Sequence, residues 1–122
     1  MKEFILLYLL LCSVPGIAQE TELKFKDHTH RFGKIAEGEV IEHTYVFTNV
    51  GDMPVIFNTY KVACACTIVD LPQKPVLPGQ QGTIVVHFDT AGKIAYQDRE
   101  ITIFSNAKKS PHKLRFTVNV KN

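Results

Sequence analysis

The most constraining stretch of this chain is its last regular run, in which Leu114, Phe116, Val118 and Val120 alternate with Arg115, Thr117, Asn119 and Lys121. Residues two apart share a side only on an extended backbone, so the run is a strand with one buried face and one wet face. A half-buried strand needs partners, and the rest of the chain offers them. Val40 to Val50 is rich in β-branched and aromatic residues. It places Ile41, His43, Tyr45, Phe47 and Asn49 on one face and Val40, Glu42, Thr44, Val46, Thr48 and Val50 on the other. Neither face is purely polar, which suits a central strand. Gly82 to Asp89 is a further strand, and Arg99 to Ser105 sets Ile101 and Ile103 against Thr102 and Phe104. Leu23 to Lys26 and His30 to Ile35 form a short, interrupted first strand. No helical periodicity follows the N-terminal segment.

Turn chemistry separates these runs at Glu37-Gly38-Glu39, Asn49 to Asp52, Thr90 to Lys93 and Ser105 to Pro111. Pro54 fixes the entry to Val55–Val62, which is expected to pair with Val40–Val50 as an antiparallel hairpin. Leu71 to Gly79 carries Pro72, Pro75 and Pro78, which no central strand tolerates, so it is a connection or an edge. With 122 residues, 45% of them hydrophobic, the chain can build one core and no more. The expected fold class is all-β, an immunoglobulin-like β-sandwich of about seven antiparallel strands.

The first eighteen residues stand apart. Lys2 precedes an apolar run from Phe4 to Val14, then Pro15 and the small-x-small triplet Gly16-Ile17-Ala18. This reads as a secretory signal cut after Ala18, which is expected to leave residues 19–122 as the mature domain. The apolar run falls short of the roughly 20 residues that a membrane-spanning helix needs. No other stretch rivals it, so the mature form has no transmembrane segment and is expected to be periplasmic or secreted. Lipidation at Cys12 is the rival reading, but acylation signals place a small residue before the cysteine, and Leu11 stands there.

Cleavage leaves Cys64 and Cys66 as the only cysteines. If their stretch stays extended, Val62, Cys64, Cys66 and Ile68 share a face. Three readings stay open: two small core hydrophobes, a disulfide, or two thiolates binding a soft ion such as Cu(I) or, with further ligands, Zn(II). Cα atoms two apart on a strand lie about 6.6 Å from each other, near the limit for bridging. So small a ring stabilises by only about 1.6 kcal/mol, and the expected bridge is readily reducible. His28 and His30 share a face if extended and could hold a metal, although two histidines alone complete no site. His43 and His87 are expected to be packed and hydrogen-bonded within strands. There is no G-x-S-x-G, phosphate loop or H-E-x-x-H. A net charge of +2 argues against nucleic acid as a partner, and Lys108, Lys109, Lys113 and Arg115 read as a solvated turn and strand face.

The spacing His30-x-Phe32-Gly33-x-Ile35, His43-x-x-x-Phe47-x-Asn49-x-Gly51, Cys64-x-Cys66-Thr67 and Pro75-Val76-x-x-Pro78-Gly79, followed by Thr83 to Thr90, resembles a bacterial domain of unknown function, the family numbered fifteen-seventy-three. That family is abundant in Bacteroidetes and similar to Hydin-type and major-sperm-protein immunoglobulin-like domains. The resemblance implies the sandwich and an exported location, and lends no activity. It also implies Ser-Cys-Gly-Cys-Thr where this chain has Ala63-Cys64-Ala65-Cys66-Thr67. An alanine makes a left-handed backbone costly at that point. The function expected is a non-enzymatic envelope module that binds a protein or another envelope component, without a cofactor. The alternative is thiol redox or copper handling at Cys64 and Cys66.

Overall fold

The computed structural model describes residues 20–122. The cleavage point after Ala18 and the rival Cys12 lie outside the described residues. Eight strands run in chain order: β1 Leu23–Phe25, β2 Thr29–Ala36, β3 Val40–Asn49, β4 Phe57–Lys61, β5 Thr67–Asp70, β6 Gln81–Asp89, β7 Ala95–Ser105 and β8 His112–Lys121. They form two four-stranded sheets, ordered β1-β3-β6-β5 and β2-β8-β7-β4. The architecture is the expected immunoglobulin-like sandwich, and the described residues contain no helix.

The alternation seen in the sequence is what fills the space between the sheets. Ile41, Tyr45 and Phe47 of β3 and Ile84, Val86 and Phe88 of β6 meet Ile101 and Ile103 of β7 and Leu114, Phe116 and Val118 of β8, all buried. Each such side chain contributes about 1.5–3 kcal/mol by leaving water. Packing is close where β3 meets β6: a Cβ at Gly82 would collide with the Phe47 ring, so the ring lies on bare backbone. Tyr45 ties the sheets together, its buried hydroxyl donating to the Arg115 carbonyl at 2.6 Å, and burial pushes that hydroxyl's pKa up.

Three expectations are corrected. First, the strands are not all antiparallel, because β2 pairs with β8 in parallel. The short interrupted first strand is two strands in different sheets: β1 pairs with β3, then the chain crosses over three residues to reach β8. Gly33, at φ 73°, absorbs the irregularity in that pairing between Arg31 and Lys34.

Second, β3 and the run after Pro54 do not make a hairpin. β4 joins the opposite sheet and pairs with β7. The reason is the corner at Asn49. Its fully buried side chain donates to the carbonyls of Met53 and Val76 at 2.8 and 2.9 Å and accepts from the Gly51 N–H at 2.9 Å. That clamp turns the chain away from β3, and Val55 then forms an isolated bridge to Val76 in the proline-rich connection. Third, the extended arrangement weighed for Cys64 and Cys66 does not form, and both lie in the bend between the end of β4 and the start of β5.

Candidate functional site

β4 ends at Lys61 in one sheet and β5 begins at Thr67 in the other, so residues 62–66 must cross the open side of the sandwich. The chain makes that crossing bent rather than extended, and the bend falls at the cysteines. Their Cα atoms lie 5.2 Å apart and the sulfurs are bonded to each other. The Thr67 N–H donates to the Cys64 carbonyl at 3.1 Å, and the Cys66 N–H donates to Cys64 Sγ at 3.2 Å. The anticipated shared face is therefore absent: Ile68 is 55% exposed, whereas Cys66 packs against the core. Ala65 costs nothing here, because the non-glycine residues with positive φ are Ala95 and Lys109.

The two sulfurs have unlike surroundings. Cys66 rests on the apolar interior. Cys64 lines a cavity of about 430 Å³ together with Lys61, Val62, Thr67, Asp98, Arg99 and Glu100. Arg99 comes from the inner face of β7, two residues before the buried Ile101. Its guanidinium carbon stands 5.5 Å from the centre of the Phe88 ring, and its Nη2 donates to Gln97 Oε1 at 2.7 Å. Its Nε is buried without a partner. The neighbouring acids are engaged elsewhere, Asp98 with Arg115 and Glu100 with Lys113 at 3.5 Å. The Arg115 guanidinium holds the Asp98 carboxyl below its usual range. Among the described residues, Lys61 and Arg99 thus face the cavity as cations with no acidic partner.

A bridged pair offers a metal no thiolate, and among the described residues no three His, Cys, Asp or Glu side chains converge. The further ligands that Zn(II) would require are not assembled beside Cys64 and Cys66. Cu(I) could take two thiolates only after reduction.

The histidines part company. His28 lies 5.3 Å from the Phe25 ring, and His30 stacks on His43 with ring centres 3.7 Å apart. Burial, then the neighbouring His30, holds the pKa of His43 below its usual value, with Asp27 opposing. His87 is hydrogen-bonded on the outer face of its sheet, between Glu42 at 3.3 Å and Asp70 at 2.9 Å. The basic residues near the C-terminal strand are mostly neutralised, Lys108 by Glu20 at 3.2 Å and Lys113 and Arg115 as described. A larger hollow of about 630 Å³ lies under the proline-rich connection; its only charged side chains are Asp70 and Lys74. Sequence reasoning did not single out Arg99, although its place in the alternation with Ile101 and Ile103 aims it inward.

No curated protein matches the chain. A protein of unknown function from Porphyromonas gingivalis superposes with a TM-score of 0.72 at 15% identity, over 87% of this chain and 50% of that one. This chain thus spans half the length of that relative. A PapD-like domain of human CEP192 gives 0.62 at 14% identity, covering 89% and 92% of the two chains. WR4, a C. elegans MSP family member, gives 0.51 at 9% identity, covering 83% and 99%. At such identities the likeness concerns the fold, but residues 23–120 match one family model, and the chain belongs to the proteins of unknown function grouped as DUF1573.

Proposed function

We propose that residues 19–122 are an exported, non-enzymatic immunoglobulin-like module of the bacterial envelope that binds a protein or another envelope component. The observation that carries this is the edge of β7. Ala95–Ile101 pair with β8 on one side, and β4 covers the other side only from Thr102 onward. A run of unpaired N–H and C=O groups is a template for an added strand. Among the described residues no helix is long and apolar enough to cross a membrane.

The test is capture from envelope extract by the immobilised domain, followed by amide hydrogen exchange on the complex. Protection of residues 95–101 upon binding is expected; a complex that leaves those amides exchanging freely would count against the edge. Intact mass of the exported protein checks the address: a chain starting at Gln19 is expected, and one starting at Met1 or acylated at Cys12 would defeat it.

A second reading, thiol redox or copper handling, is favoured by the half-buried Cys64–Cys66 pair beside an open cavity. Replacing both cysteines by serine separates the two: capture persists if the domain is a module and is lost if the thiols do the binding.

A further inference from the structure

We infer that the Cys64–Cys66 pair exchanges with disulfides and thiols that carry carboxylates, and that Cys64 alone is the sulfur through which a substrate enters. The inference rests on the thiol reading and adds to it a division of labour and a substrate class. It follows from three independent features of the crossing between β4 and β5.

The first feature is access. Cys64 lines the cavity and Cys66 does not; Cys66 packs against the buried cluster instead. Exchange requires an in-line approach to sulfur, so an incoming group reaches Cys64 first. The second is the hydrogen bond from the Cys66 N–H to Cys64 Sγ. In the reduced pair a backbone donor so placed, 3.2 Å from Cys64 Sγ in the closed bridge, supports the Cys64 thiolate as the attacking sulfur. The third is the charge of the cavity. Lys61 and Arg99 line it without acidic partners, while the two acids that also line it, Asp98 and Glu100, are each paired with a cation, Arg115 and Lys113. The buried Arg99 Nε–H has no acceptor of its own. Such a site stabilises the Cys64 thiolate and also draws in an anionic partner.

The chemistry balances as two displacements. With the pair reduced, the Cys64 thiolate attacks one sulfur of a substrate disulfide. The substrate's S–S bond breaks, one half departs with the electron pair as a thiolate and is protonated by water, and the other half stays on Cys64 as a mixed disulfide. Cys66, its thiol proton given to solvent, then attacks Cys64 Sγ, expels the second half as a thiolate and closes the bridge. Two protein thiols are oxidised and one disulfide is reduced to two thiols. Run backwards, the closed bridge oxidises a pair of substrate thiols, again through Cys64. Neither direction needs any co-reactant beyond the substrate.

The test treats the reduced mature chain with glutathione disulfide, which is anionic, or cystamine, which is cationic. Acid quenching and mass spectrometry then locate the adduct. Each rate is divided by that of the same disulfide with free cysteine. The first adduct is expected on Cys64, and Cys66→Ser should retain it as a trapped mixed disulfide. Glutathione disulfide should be favoured over cystamine by about tenfold, a preference that Lys61→Gln with Arg99→Gln abolishes. Timed alkylation of the unmutated chain identifies the faster cysteine even if a variant fails to fold. First reaction at Cys66, or equal rates at the two, overturns the assignment of Cys64 while the thiol reading stands. Reaction at Cys64 without charge preference overturns the substrate class. No adduct on either sulfur defeats the inference and the thiol reading together.

Discussion

Replacing Asn49 by alanine should be among the most destabilising single changes available in this chain, although the residue is polar and far from the cysteines. The side chain is fully buried and makes three hydrogen bonds, donating to the carbonyls of Met53 and Val76 and accepting from the Gly51 N–H. A buried neutral hydrogen bond contributes about 1 kcal/mol net, and partners left unsatisfied cost more, so Asn49→Ala should lose about 3–4 kcal/mol. For a domain of this size, about 1 kcal/mol shifts Tm by roughly 4–8 °C, which places the expected drop at about 12–30 °C. Asn49→Asp should be worse at neutral pH, because a carboxylate cannot donate to either carbonyl and instead faces both oxygens. Urea unfolding monitored by circular dichroism measures both, with the exposed Asn119→Ala as a control expected within about 0.5 kcal/mol of the parent. An Asn49→Ala variant within about 0.5 kcal/mol of the parent, or an Asn49→Asp variant as stable as it, would refute the account of the corner.

Mild acid should also weaken the fold. The pKa of His43 is held down by burial and by His30, and that of His112 by burial, then His28 and Lys109. Both therefore take up protons more readily unfolded, so stability is complete above about pH 6.5 and falls as pH drops from there towards the folded values. Equal urea midpoints at pH 7.5 and pH 5 would contradict this, and His43→Gln should flatten part of the slope. Gly82→Ala should cost about 1–3 kcal/mol by driving a Cβ into the Phe47 ring. Phe47→Leu should relieve part of that cost, so strict additivity of the two changes in a double-mutant cycle would rule out the contact.

The fold was legible wherever burial and strand period coincide. Ile41, Tyr45 and Phe47, and likewise Leu114, Phe116 and Val118, fall on the buried side as their alternation requires. Pairing was less legible, because period reveals which face is buried and not which strand lies alongside. The turn signals after Asn49 suit a hairpin equally well, and the contacts that redirect the chain include a long-range hydrogen bond to Val76 that local sequence does not reveal. The site was legible as two cysteines and no further. A strand period applied to Cys64 and Cys66 assumes that the strand continues, whereas the chain turns there as it changes sheets. That Arg99 has no acidic partner depends on Arg115 and Lys113 occupying the acids beside it, a contact pattern set by the pairing of β7 with β8.

The parallel pairing of β2 with β8 has a consequence for the order of events along the chain. β8 lies between β2 and β7, so the last strand to be made is interior to its sheet rather than added at its rim. Until it arrives, β2 has no neighbour to pair with, and Phe116 and Val118 are missing from the interior. A nascent chain lacking those residues holds two incomplete layers with no closed interior. The sandwich is thus built by contacts distant in sequence, a topology that folds late and slowly. Closure of the two layers therefore waits on β8, the strand of the sandwich placed furthest along the chain.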